Sequence, residues 1–136
     1  MVVSLKIGKL AKRSGCSIQA IRHYEKEGLL SSFARSEGNF RLYDQYAEDR
    51  LLFIKRCRSL DLSLLEVKHL LELSQSPEMT CSEVNVMVEQ HIQQVEKRLV
   101  ELRRLRQQLL ELRENCSQDR TVEQCGIIKN LAKPLI

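Results

Sequence analysis

No stretch of the 136-residue chain approaches the ~20 consecutive apolar residues of a membrane-spanning helix, so no transmembrane segment is expected. The N-terminus, MVVSLKIGKLAKRSG, lacks the apolar core of a secretory signal and reads directly as a helix, which leads to the expectation of a cytoplasmic protein. No cysteine stands at catalytic spacing from a histidine, and nothing else suggests catalysis, so an enzyme is not expected. The cysteine count is odd, five. In a reducing compartment this argues against a disulfide framework and for thiol chemistry.

What is present is unevenly distributed. The net charge of +4 hides a split: residues 1–58 hold 12 Lys/Arg against 6 Asp/Glu, whereas residues 59–136 hold 10 against 12. The basic half is the candidate nucleic-acid face.

In that half, Ile7, Leu10 and Ala11 form the apolar stripe of a short helix. Gly15 ends it, and Ser17 is a suitable N-cap for a second helix running from Ile18 to about Lys26. The second helix is expected to bury Ile18 and Ile21 and to turn Gln19, Arg22 and His23 outward. Two short helices joined through a glycine-containing turn make a helix-turn-helix over about 7–26. Its second helix would enter a major groove with Gln19 and Arg22 near base edges or phosphates. The segment 33–43 follows, with the turn residues Gly38 and Asn39 between short β-prone pieces. It predicts a hairpin wing carrying Arg35 and Arg41, in which Phe40 and Leu42 face one way and Arg41 and Tyr43 the other. Such a wing grips backbone phosphates. Asp44 then caps a helix reaching about Ser59. Ser63-Leu-Leu-Glu66 is a capping box opening another, whose Leu64, Val67, Leu70 and Leu71 pack inward.

Pro77 breaks the chain after this fourth helix. Thr80-Cys-Ser-Glu83 is a further capping-box pattern, which puts Cys81 in the first turn of a long helix. Val84, Val88, Ile92, Val95, Leu99, Leu102, Leu105, Leu109 and Leu112 form its stripe, ending at Cys116. Most steps alternate four and three, as in a coiled coil, with irregular steps near Val88 and at Leu102–Leu105. One such stripe on a monomer would be an exposed apolar seam, so a homodimer is expected. A helix from 81 to 116 separates those two thiols by roughly 50 Å. They can meet only if two chains pair antiparallel, with Cys81 of one protomer beside Cys116 of the other. Cys125, nine positions further on, would complete a three-thiolate pocket at each end. Thiolates select soft ions over Mg(II) or Ca(II). Cys16 and Cys57 have no thiol partner at chelating spacing and read as packing residues. His23, His69 and His91 are scattered singly, His91 beside the seam.

The strings IGKLAKRSGCSIQAIRHYEKEGLL, ARSEGNFRLYD and LLFIKRCRSLDLSLLEVKHLL resemble the MerR family of transcriptional regulators over nearly the whole chain. The resemblance implies a mainly α protein: a winged helix-turn-helix DNA-binding domain (1–75), a dimerisation helix (80–115) forming an antiparallel coiled coil, and a metal-binding loop with a short C-terminal helix (116–136). It implies double-stranded promoter DNA as partner, contacted by Gln19, Arg22, Tyr24, Arg35 and Arg41. RNA polymerase would be engaged indirectly, through distortion of an over-long promoter spacer. Monovalent-copper sensors of the family place Ser where Cys81 stands and bind with two thiolates, so a third thiolate implies a divalent ion. Zinc sensors carry extra Cys or His in the loop, where residues 117–124 have neither. Mercury sensors share the cysteine pattern. The pieces ARSEGNFRLY, FIKRCRSLDL, CSEVN and EQHI look most like the lead- and cadmium-responsive branch. The expected effector is therefore Pb(II) or Cd(II), with Zn(II) or Hg(II) as the alternative, held by Cys81, Cys116 and Cys125. The chain ends LAKPLI, without the His-rich tail of some cadmium-responsive members. A thiol redox switch using Cys116 and Cys125, and an architectural DNA protein with structural zinc, are the rival readings.

Overall fold

The computed structural model describes residues 4–116 and 118–134. Residues 1–3, 117 and 135–136, which fall in the expected N-terminal helix and the expected 116–136 segment, lie outside the described residues. The fold is mainly helical with one small sheet, and the chain divides into two units between Val84 and Asn85.

Among the described residues, the first element of the first unit is a strand, not a helix. Leu5–Lys6 (β1) pairs antiparallel with β3 (Arg41–Tyr43), Leu5 opposite Tyr43 and Lys6 opposite Leu42. The direct helical reading of the N-terminus is corrected here. Leu5 is almost fully buried beside Tyr43, and this pairing draws residues 5 and 6 out of the helical pattern that begins at Ile7. Helix α1 (Ile7–Ser14) ends where Gly15 takes a left-handed φ of 73° and its N–H donates to the Ala11 carbonyl at 2.9 Å. That backbone conformation favours glycine because no Cβ meets the carbonyl. Helix α2 (Ile18–Lys26) starts at Ser17, whose Oγ accepts the Ala20 N–H at 3.0 Å. Ile21 is fully buried, but Ile18 is 39% exposed, contrary to the expectation that both are buried. Ile18 is the first helical residue, so its side chain stands on the open end of the turn.

Strand β2 (Ala34–Arg35) pairs with β3 in the register Ala34–Leu42 and Arg35–Arg41 and completes a three-stranded sheet of order β1-β3-β2. Its tight turn is closed by the Asn39 N–H to the Ser36 carbonyl at 2.8 Å, with Asn39 left-handed at φ 67°. Helix α3 (Gln45–Ser59) is capped by Asp44, which accepts the Ala47 N–H at 3.0 Å. Helix α4 (Leu64–Ser74) carries the full capping box between Ser63 and Glu66, with bonds of 2.9 and 3.1 Å.

Two apolar clusters hold this unit together. Leu5, Leu10, Ile21, Leu30, Tyr43, Ala47 and Leu51 join β1, α1, α2, β3 and α3. Leu29, Ile54, Cys57, Leu62, Val67 and Leu71 join α3 to α4. Each fully buried aliphatic side chain contributes about 1.5–3 kcal/mol. Glu48, the buried acid of α3, is matched by Arg13 of α1 at 3.0 Å. Lys55 donates to the Ser14 carbonyl at 3.1 Å, satisfying one of the open acceptors at the end of α1.

Helix α5 (Ser82–Arg113) has 32 residues and is about 48 Å long. It begins one residue later than expected, leaving Cys81 in the turn that leads into it. No residue of α5 is buried in the single chain. The seam residues Val88, Ile92, Val95, Leu99, Leu102, Leu105 and Leu109 are 41–60% exposed. After α5 come a 3-10 turn (Val122–Gln124) and a short helix, α6 (Gly126–Leu131). None of the described helices is long and apolar enough to cross a membrane.

Candidate nucleic-acid interface and ligand cysteines

A concavity of about 370 Å³ lies between α2 and the sheet, lined by Lys6, Arg22, Arg35, Asn39, Phe40 and Arg41, among others. The structure thus brings Arg22, Arg35 and Arg41 together. Gln19 is exposed elsewhere on α2, and Tyr24 is half-buried with its ring packed against both apolar clusters. His23 is exposed.

Local contacts orient the cations of this concavity. Arg35 Nη1 donates to the Asn39 carbonyl across the hairpin turn at 3.0 Å. Arg41 and Tyr43, side by side on one face of β3, both reach Glu25 of α2. The Arg41 Nη1 lies 3.4 Å from Glu25 Oε2, and the Tyr43 hydroxyl donates to Glu25 Oε1. One carboxylate therefore ties the wing to the second helix. Lys6 places its Nζ 4.8 Å above the ring of Phe40. Four cations against one carboxylate make a surface suited to a polyanion. Reasoning from the chain alone missed Lys6 because β1 was read as helix. It missed Glu25 because nothing near residue 25 announces a partner 16 positions away.

The cysteines fall into three environments. Cys57 is buried in the α3–α4 cluster, and burial pushes its thiol above the ordinary value against a smaller opposing backbone hydrogen bond. Cys16 is half-buried against the first cluster. Both are in packing positions. Cys81 is exposed ahead of α5.

Cys116 and Cys125, in contrast, meet within the second unit. The Cys125 sulfur is held below the ordinary thiol range, chiefly by the backbone N–H of Ile128 and further by that of Ile127 and by a hydrogen bond with the Cys116 side chain; partial desolvation opposes this. The Cys116 Sγ also contacts the Gln118 carbonyl at 3.4 Å. Gly126 makes this approach possible. A Cβ there would collide with the backbone carbonyl of Asn115, immediately before Cys116. The start of α6 can pack against the end of α5 only where residue 126 has no side chain. Sequence reasoning missed this role, because the Asn115 backbone that Gly126 meets lies 11 positions away. Among the described residues of the single chain, no three His, Cys, Asp or Glu side chains form a metal-sized group.

Comparison with known proteins covers both the helix-turn-helix and most of the long helix. A family model described as MerR HTH family regulatory protein matches residues 5–74, and one described as MerR, DNA binding matches residues 48–112. The HTH-type transcriptional regulator ZntR homolog of Haemophilus influenzae is 46% identical over 110 residues, 81% of this chain and 82% of that protein. The mercuric resistance operon regulatory protein of Bacillus cereus is 32% identical over 131 residues, 96% of this chain and 99% of that protein. Among solved structures, the transcription regulator PbrR691 from Ralstonia metallidurans CH34 in complex with lead(II) superposes with a TM-score of 0.84 at 50% identity, covering 94% of this chain and 99% of that one. Likeness of this extent, carried through both the helix-turn-helix and the long helix behind it, makes the chain a member of the MerR family of DNA-binding transcriptional regulators, proteins that are not enzymes.

Proposed function

We propose that this chain is a metal-responsive regulator that binds promoter DNA as a homodimer and activates metal-resistance or efflux genes when Pb(II) or Cd(II) occupies a site of Cys81, Cys116 and Cys125. The observation that carries the reading is the meeting of Cys116 and Cys125 at the end of α5, with the Cys125 sulfur already biased toward thiolate by amide N–H groups. Such a sulfur pair fits a soft divalent ion, because metal binding needs deprotonated thiols. The 50% identity to a regulator crystallised with lead(II) supports Pb(II) over the other soft ions.

The residues divide the work. Cys116 and Cys125 come from one protomer. Cys81 comes from the partner, since α5 separates it from Cys116 of its own chain by about 50 Å. The exposed seam of α5 supplies the antiparallel contact that brings them together. The dimerisation helix then spans 80–115, with the DNA-binding domain in 1–75 and the metal loop in 116–136. Arg22, Arg35 and Arg41 hold phosphates, and Gln19 and Tyr24 extend the interface along α2. An ion that stiffens the Cys116–Cys125 loop favours one disposition of the two DNA-binding domains over another. Distorting a promoter spacer costs about 1–6 kcal/mol, so the ion acts by binding one conformation more tightly.

A heterodimer tests the shared site. One protomer carries Cys81→Ser and the other Cys116→Ser. Each mutant homodimer has two damaged sites. In the heterodimer, one end regains Cys81 from one chain and Cys116 with Cys125 from the other. One tight Pb(II) per heterodimer is expected, and none in either homodimer. An intact heterodimer with no tight site would refute the shared pocket. A competition titration with Pb(II), Cd(II), Hg(II) and Zn(II) ranks the ions; the likeness to a mercuric resistance regulator makes Hg(II) the first competitor to include.

The nearness of Cys116 to Cys125 also favours a second reading, a thiol redox switch. Metal binding that persists under strict anaerobic reduction, with three thiols protected per site, separates the two.

A further inference from the structure

We infer that Lys6, on β1, is a further phosphate-binding residue of the DNA interface, and that the exposed ring of Phe40 holds it there. The inference rests on the DNA-binding reading above and adds to it a strand and a residue that the helix-turn-helix and wing do not contain.

Three observations carry it. First, β1 is hydrogen-bonded to β3, so Lys6 is a fixed edge of the wing sheet, opposite Leu42. Second, Lys6 lines the same concavity as Arg22, Arg35 and Arg41, with its Nζ 4.8 Å from the centre of the Phe40 ring. Third, Phe40 is 59% exposed yet held in place. Its ring lies so close to Gly38 that a Cβ there would stand 3.1 Å from the Phe40 Cε2, and its N–H donates to Ser36 Oγ at 3.2 Å. An exposed phenylalanine gains little from burial, but its ring face attracts an ammonium group. A ring holds Lys6 without neutralising it, whereas a carboxylate would leave no net charge for DNA. Glu25 already offsets part of the Arg41 charge in the concavity. Lys6 therefore keeps a full positive charge, pre-oriented toward the position of a backbone phosphate. A compact ammonium suits a single phosphate contact that carries no base information.

The test uses the full-length dimer and two duplexes: one of random sequence, and one selected for tight binding from a random pool. Lys6→Gln removes the charge and keeps the stem. Each dimer then loses two phosphate contacts, and the slope of log K against log salt should fall in magnitude by about 1.8, at about 0.9 per contact, equally on both duplexes. Lys6→Arg keeps both the charge and the ring contact and should retain the wild-type slope. Phe40→Leu should weaken binding in the wild-type background and have no further effect on Lys6→Gln, a coupling that general unfolding would not produce. Circular dichroism monitors the fold throughout. An unchanged slope in Lys6→Gln, or equal effects of Phe40→Leu in both backgrounds, would overturn the inference while leaving the DNA reading intact. A wild-type dimer that binds neither duplex would overturn the DNA reading and this inference with it.

Discussion

Glu25 makes two contacts with one carboxylate, and the two differ in worth. The ion pair to Arg41 is half-exposed, so it contributes about 0–1 kcal/mol. The Tyr43 hydroxyl sits on a fully buried side chain and has Glu25 as its acceptor. Glu25→Gln keeps a neutral acceptor for Tyr43, loses the ion pair and weakens the charge-assisted bond from the hydroxyl. It should lower unfolding free energy by about 1 kcal/mol. Glu25→Ala strands the hydroxyl and should cost about 1–3 kcal/mol. Urea denaturation of the two variants checks the order; equal losses would show that Tyr43 does not depend on this acceptor. Cys125 gives a pH dependence with a defined sign. Its folded pKa lies below the unfolded one, so the thiolate is populated at lower pH in the native protein. Any stability this confers is present above the unfolded pKa and is lost as pH falls through the folded one. The alkylation rate of Cys125 by iodoacetamide should reach half its maximum at lower pH in the native protein than in urea. Coincident profiles would remove the role of the Ile127 and Ile128 amides. Buried Cys57, shifted the other way, should alkylate slowly in the native state.

At the scale of elements, short-range caps and one close approach settle the architecture. Ser17, Asp44 and Ser63 each accept a backbone N–H three residues on, and each was legible from its position before an apolar-periodic segment. The junction of α5 with α6 is different in kind. It depends on Gly126 meeting the Asn115 backbone, where a side chain has no room and the obstructing atoms belong to the main chain. Gly126→Ala should force the two helix ends apart and separate Cys125 from Cys116. Under the proposed function, Pb(II) affinity should fall at least tenfold while duplex DNA affinity stays near wild type. Isothermal titration and fluorescence anisotropy measure the two quantities. A retained Pb(II) affinity would mean that the loop reaches Cys116 by another path.

The whole molecule carries a long helix with no buried residue in one chain and a periodic apolar seam. Helices in proteins draw most of their stability from tertiary packing of an apolar face, so α5 requires a second surface. Leu99→Glu puts a charge in the middle of that seam. Under the proposed function it should convert the dimer to monomer at micromolar concentration, lower the helical content, and leave the α1–α4 unit folded, because both of its clusters lie before residue 85. Analytical ultracentrifugation with circular dichroism reads both effects. A persistent dimer would place the interface on another face of α5.

The amino-acid sequence by itself determined what depends on near neighbours: the helix boundaries at Ser17, Asp44 and Ser63, the left-handed stop at Gly15, the hairpin turn at Gly38–Asn39, and the unpartnered seam of α5. Caps, turn residues and helical periodicity act over three or four positions, so they are written locally. Only the tertiary structure decided that Leu5–Lys6 is a strand, that Glu25 gathers Arg41 and Tyr43, and that Gly126 lets Cys125 reach Cys116. Each of these depends on atoms brought together across 9 to 38 positions. A carboxylate, a glycine or a two-residue segment has no local signature for a partner that distant. Its role is set when burial of the surrounding apolar side chains fixes the backbones relative to one another.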